Sequence, residues 1–292
     1  MRTLLRLCIV VVLACAPAFA PSAAFAASGP QVLVLTTGAE AEDVADYAVE
    51  RLQMEARRWG FTLTEGEPAD LEDLGDDVDV VVFVNTGVDI LDQAQEASLQ
   101  SFMTRGGGFV ATNSAALSEP DWNFYGELIG ATALAPPQEP ATEQDVSFNS
   151  GSPITDGLDE DLTLNERWYF FDPEPVQPDS TILAQLGSGD PVAWSSEEHR
   201  AFYASPGGEG KTWGDRDFLQ LIRQAIWWAA GEEGVLLQNS DDAAPEWPYT
   251  WTFAFFVIAV AGGGSIAVWR LDKDETQREE EAEADRAVSS GT

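Results

Sequence analysis

Over the middle of the chain, short apolar runs alternate with segments of helical period. Residues 32–35 (VLVL) form a β-branched-rich run that ends in the polar turn Thr36-Thr37-Gly38. Residues 42–59 follow with Val44, Tyr47, Ala48, Leu52 and Ala56 on one helical face. Residues 61–64 predict a second strand. Residues 78–84 (VDVVVFV) predict a strand buried on both faces, ending in Asn85-Thr86-Gly87. A helix is expected over 91–104, with Asp92 near its start. Residues 105–117 (RGGGFVATNSAAL) then place three glycines before a buried strand, 109–111, that ends at Thr112-Asn113-Ser114. Beyond Leu117 the pattern loosens, and Pro136, Pro137, Pro140 and Pro153 mark loops with short strands. Strand signals return at 182–185, 192–194 and 201–203. A helix over 218–230, with Leu221, Ile222, Ala225 and Trp228 inward, stops at Gly231.

Strand, helix, strand, strand, helix, strand predicts an α/β fold with a doubly wound parallel sheet over residues 31–231. The strand ends at Thr36, Asn85 and Asn113 then share the carboxyl edge, where open α/β sheets bind ligands.

The two ends of the chain read differently. Arg2 and Arg6, an apolar run over 7–14 and Ala24-Phe25-Ala26 have the layout of a secretory signal peptide spanning residues 1–26. Val12-Leu13-Ala14-Cys15 is a rival processing box that would place a lipid on Cys15. Both cysteines, Cys8 and Cys15, lie in this segment, so the mature chain has no thiol nucleophile, disulfide or thiolate metal site. Residues 232–246 read as a polar linker. Residues 247–269 carry no charge over a length that spans a bilayer, with Trp247, Tyr249, Trp251 and Trp269 as interfacial belts. Arg270 and Lys273 follow, so the expected topology is a single C-terminal transmembrane helix in the cell membrane. The globular domain is then extracytoplasmic, and the acidic tail 270–292 is cytoplasmic.

Charge narrows the partners. The chain holds 50 acidic and 15 basic residues, a formal net charge of −35, and most of the excess belongs to the outer domain. Such a surface disfavours nucleic acid and anionic lipid. The expected partners are a carbohydrate or other small polar ligand, the bilayer through the C-terminal helix, and an envelope protein as a third class.

Several segments, in order, resemble the ThuA-like (trehalose-utilisation) family of the class I glutamine-amidotransferase-like superfamily. They are VVVFVNTGVDILDQAQEASLQSFMTRGGGFVATNSAA, DWNFYGELIGA, SPITDGL, NERWYFF, PVAW, AFYASPGG and AIWWAAG. The resemblance implies a flavodoxin-like sheet and a link to sugar metabolism or carbohydrate processing. It also exposes departures. Related sequences carry a histidine where this chain has Asn113, in the turn where the amidotransferases place their cysteine nucleophile. The Arg-His pair after the first strand is replaced by GAEAEDVAD, and a histidine near Gly208 is missing. His199 is the one histidine of the chain, in a polar SSEEHR segment that reads as a hairpin tip.

The candidate chemistry follows from what is left. Ser114 occupies the right turn but has no histidine placed by motif to activate it. Glu166 in NERWYFF, with Asp121 in EPDWNFY, forms a carboxylate pair of the kind glycoside hydrolysis uses. The competing structural roles are a helix cap for Asp121 and an ion pair of Glu166 with Arg167 or Arg105. Thr37, Asn85, Asn113, Ser114, Trp122, Trp168 and Tyr169 are candidate ligand contacts through amides, hydroxyls and ring faces, and the aromatic ones serve equally as core. No cofactor is implied, and without further imidazoles no metal site is expected. The reading is a ligand-binding domain with little or no catalysis, the alternatives being a glycoside hydrolase using Glu166 or an interaction domain with a vestigial site.

Overall fold

Unbroken apolar runs along three central strands set the architecture. In the computed structural model, which describes residues 29–231 apart from 76, 135, 136, 138, 160, 173 and 176–179, Val32, Val34, Val80, Val82, Val84 and Val110 face one side of a sheet. Leu33, Leu35, Val81, Phe83, Phe109 and Ala111 face the other. Side chains in a strand point alternately to opposite faces, so such runs need helices on both sides. Those helices are present. α1 (Glu42–Trp59) and α4 (Arg216–Ala229) cover the valine face. α2 (Gln93–Thr104) and α3 (Asn123–Ile129) cover the leucine and phenylalanine face.

The strands are β1 (Gln31–Leu35), β2 (Thr62–Gly66), β3 (Val80–Val84), β4 (Gly108–Thr112), β5 (Ala133–Leu134), β6 (Thr142–Phe148), β7 (Asp161–Glu166), β8 (Phe170–Phe171), β9 (Thr181–Leu186), β10 (Pro191–Ser196) and β11 (Ala201–Ala204). Nine of them form one sheet in the order β2-β1-β3-β4-β11-β10-β9-β6-β7, while β5 and β8 pair separately. From β2 to β11 the strands are parallel. From β11 to β7 every pairing is antiparallel.

The sheet is therefore mixed, which corrects the all-parallel expectation. The physical reason lies in β6 and β7. Their residues alternate between exposed and covered positions, TEQDVSF and DLTLNE being rich in polar side chains. That pattern suits an antiparallel extension with one wet face. The proline-marked stretch, expected as loops with short strands, contains β6 as a seven-residue strand, and β7 follows it.

Local signals fix the helix ends. Asp92 Oδ1 accepts the N–H of Ala94 and Gln95 at 2.9 and 3.0 Å, and Gln95 Oε1 accepts the Asp92 N–H in return, a reciprocal capping box. Asp215 caps α4 through the N–H groups of Asp217 and Phe218. The glycine run before β4 has separate causes. Gly106 adopts φ +97, and a Cβ on Gly108 would lie 2.4 Å from the Ala229 carbonyl oxygen. That contact lets the end of α4 lie directly on β4.

The expected signal peptide, linker, membrane span and tail lie outside the described residues. Among the described residues, no helix is long and apolar enough to cross a membrane.

Two glycine variants separate crowding from backbone strain. Gly108→Ala should lower stability by about 2–3 kcal/mol, because backbone of α4 must move. Gly106→Ala, whose Cβ meets nothing within 4 Å, should cost only the left-handed backbone term of about 1–2 kcal/mol. Denaturant midpoints of the two variants check the order.

Candidate functional site

The carboxyl edge of the parallel strands carries two asparagines in matching conformations. Asn85 ends β3 at φ 52 and Asn113 ends β4 at φ 51, a region that asparagine tolerates better than most residues. Neither side chain is open to solvent, with Asn85 6% and Asn113 5% exposed. Asn113 Nδ2 donates to the Ser205 carbonyl at 2.8 Å, and the Asn113 carbonyl accepts from the Tyr203 hydroxyl at 2.8 Å. Asn85 Nδ2 donates to the Gly207 carbonyl at 2.6 Å, and its Oδ1 accepts from Thr112 Oγ1 at 3.1 Å.

The segment that follows β11, Ser205 to Gly208, closes this edge. A Cβ on Gly208 would meet the Asn113 amide at 2.9–3.1 Å, so the glycine backbone covers that side chain. The Gly207 N–H donates to Glu166 Oε1 at 3.0 Å, and Trp213 Nε1 donates to the Gly207 carbonyl at 2.8 Å. Thr212 Oγ1 also donates to Glu166 Oε1. Glu166 is fully buried, and its Oε2 has no hydrogen-bond partner among the described residues. Burial pushes its carboxyl up to about 7, against the opposing pull of the Thr212 and Gly207 bonds.

The expected residues thus divide. Asn85, Asn113 and Glu166 converge on one backbone segment. Thr37 turns aside and donates to Glu67 Oε2 at 3.1 Å. Ser114 is half-buried, and its hydroxyl makes no hydrogen bond among the described residues. Trp168 is fully buried and donates from Nε1 to the Thr142 carbonyl at 3.0 Å, and Tyr169 packs in the opposite core layer. Trp122 is half-buried and stacks on Tyr125 with ring centroids 6.2 Å apart. Asp121 is exposed in the turn before α3, where Trp122 is the N-cap residue and makes no side-chain cap. The helix-cap role for Asp121 is therefore absent.

Glu166 pairs with neither arginine. Arg167 is surrounded by Glu139 at 3.2 Å, Glu40 at 3.3 Å and Glu209 at 3.8 Å, while Arg105 bonds Ser101 Oγ and the Leu74 carbonyl. His199 lies in the β10–β11 turn against Phe124, with ring centroids 5.7 Å apart. That turn precedes β11, whose first residue is level with the start of β4, so His199 is at the opposite edge from Ser114.

Two participants escaped the sequence reading. The closing segment Ser205-Pro206-Gly207-Gly208 had a visible signal, a proline-glycine turn directly after a buried strand. Glu119 had none, being one acid among many. It is 4% exposed, and its Oε1 accepts the N–H of Ile90 and Leu91, both at 3.0 Å. Burial raises its carboxyl to about 7, outweighing those two bonds. Among the described residues no group of histidine, cysteine and carboxylate side chains is arranged to hold a metal.

Solved structures with a similar fold include a putative ThuA-like protein from Bacteroides uniformis, 21% identical, with a TM-score of 0.59 over 69% of this chain and 92% of that one. A putative ThuA-like protein from Parabacteroides merdae is 15% identical, with a TM-score of 0.52 over 70% of this chain and 91% of that one. No curated protein matches. The family model described as ThuA, trehalose utilisation, matches residues 31–229, and the chain belongs to that family.

Proposed function

We propose that this chain is a membrane-anchored, extracytoplasmic ThuA-like domain that binds a carbohydrate or similar polar ligand without transforming it. The observation that carries the reading is the state of Asn113. It occupies the turn after β4, its amide is committed to the Ser205 carbonyl, and Gly208 covers it. An asparagine cannot serve as nucleophile or general base, and Ser114 beside it has no base to activate it. The sugar class rests on the family description, trehalose utilisation. Anchoring rests on the uncharged run 247–269 and the Arg270 and Lys273 that follow.

Glu166 supports a second reading, a glycoside hydrolase. Its carboxyl is raised to about 7, and Oε2 is unpartnered, both of which suit a general acid. Against it stands full burial, with Asp121 exposed in a separate turn. The full-length chain should show no turnover on a panel of chromogenic glycosides while binding a glycan on an array. Turnover that disappears in Glu166→Gln would establish the second reading and remove the first.

The same variant has a pH signature in the non-catalytic case. Glu166 keeps its proton in the folded state up to about pH 7 but loses it near 4.5 when unfolded. Its stabilising contribution is complete below about pH 4.5 and is lost as pH rises through about 7. Glu166→Gln imitates the neutral acid. Its stability should match the wild type near pH 4.5 and exceed it near pH 8, by up to about 3 kcal/mol. Denaturation curves across that range check the widening gap. For topology, protease added to intact cells should remove the outer domain and spare a small membrane-bound C-terminal fragment, as immunoblotting of a C-terminal tag would show.

A further inference from the structure

At the opposite edge of the sheet, between α3 and the end of β10, a groove of about 570 Å³ opens to solvent. Ser196 pairs with Ala201, and Ala201 is level with Phe109 at the start of β4, which places the groove at the amino edge of the parallel strands. Asn123 and Glu127 line it from α3. Ser180, Ser196, Glu198 and His199 line it from the sheet side. None of these six side chains makes a hydrogen bond or ion pair within the described residues, and His199 makes only its ring contact with Phe124.

Ser180 is 3% and Ser196 6% exposed, and both hydroxyl oxygens are still reached by solvent. Both residues line the groove, so their hydroxyls are available to whatever enters. The concavity has a backbone cause. Gly130 ends α3 at φ +74 with the Ser180 hydroxyl 3.1 Å from where its Cβ would be, and Gly126 leaves the helix surface bare.

We infer that this groove is the ligand-binding site, and that it takes a neutral polyhydroxylated molecule of one or two sugar rings. The inference rests on the carbohydrate-binding reading above and moves the binding site away from the closed carboxyl edge. The volume falls within the range of about 300–1,000 Å³ common for small-molecule sites. No lysine or arginine lines the groove, and Glu127 and Glu198 would repel a phosphate or carboxylate. A bare cation would use only acceptors, leaving the Asn123 amide hydrogens and the serine hydroxyl hydrogens unpaired. Sugar hydroxyls both donate and accept, so they can satisfy the carboxylates, the amide and the serines together. The His199 ring, in edge-to-face contact with Phe124, is part of the lining.

His199 is the single histidine of the chain, so its imidazole gives a single Hε1 NMR signal, the resonance followed in titration. The full-length chain in detergent, labelled at histidine, is titrated with glucose, trehalose and cellobiose, and the same titrations are followed by calorimetry. At least one sugar should shift the His199 resonance saturably, with the midpoint that calorimetry reports. Gly126→Phe, whose new side chain starts in open space and projects from a helix surface, should weaken binding at least tenfold. Ser196→Ala should weaken it severalfold, with the thermal midpoint of both variants near that of the wild type. Saturable binding that leaves His199 unmoved and survives Gly126→Phe overturns the groove while keeping the carbohydrate reading. Absence of saturable binding to all three sugars overturns both. A His199 shift produced by calcium or spermidine in place of the sugars overturns the polyhydroxyl assignment.

Discussion

The carboxyl edge of this domain depends on the backbone of Gly207. Its N–H bonds Glu166, and its carbonyl accepts from both Asn85 and Trp213. One peptide segment therefore ties the end of β3, the end of β7 and the turn before α4. At φ +121 the residue adopts a conformation that a side chain would oppose. The neighbouring Gly208 completes the closure by lying against Asn113. Where nucleophilic catalysis would need an open turn and an activated side chain, this chain has two asparagine amides that donate to backbone carbonyls.

Charge explains why the closure can involve a glutamate at all. An ionised carboxylate in a dry interior is costly unless paired, and no cation among the described residues pairs with Glu166. The arginine next to it in sequence is drawn instead to Glu40, Glu139 and Glu209. With 15 basic residues against 50 acidic ones, cations are scarce. Two glutamates, Glu119 and Glu166, are buried with their carboxyls raised to about 7, and in each one oxygen accepts from N–H or hydroxyl donors. Both tie one loop to another, and burial favours the neutral form of each.

How much of this could be read in advance depended on whether a feature was periodic. The helix over residues 42–59 emerges from five apolar positions and matches α1 at both ends. β3 and β4 announce themselves because all five residues of each are buried, so no alternation dilutes the apolar run. β6 and β7 fail the same test: one face is wet, and their threonine, glutamate, glutamine and aspartate residues resemble a loop. At the site, Asn113 was legible because it ends a strand. Its burial was not, because the covering residues come from Ser205 to Gly208, about ninety positions later. Trp168 and Tyr169, candidate platforms for a sugar, proved to be core on two different faces, a distinction that composition alone does not carry.

The two edges of the sheet therefore differ in a way that bears on function. At the carboxyl edge both asparagine Nδ2 groups donate to backbone carbonyls inside the protein, and burial favours the neutral form of Glu166. At the amino edge two serine hydroxyls, an amide and two carboxylates face a solvent-filled groove with no partner among the described residues. Unmet hydrogen-bonding capacity in a concave, cation-free site favours a ligand with many hydroxyls and no negative charge. A neutral ligand also escapes the long-range repulsion that a strongly acidic domain imposes on anions. Recognition at one edge and a sealed turn at the other are thus compatible within one fold, since the buried parallel strands hold the two apart.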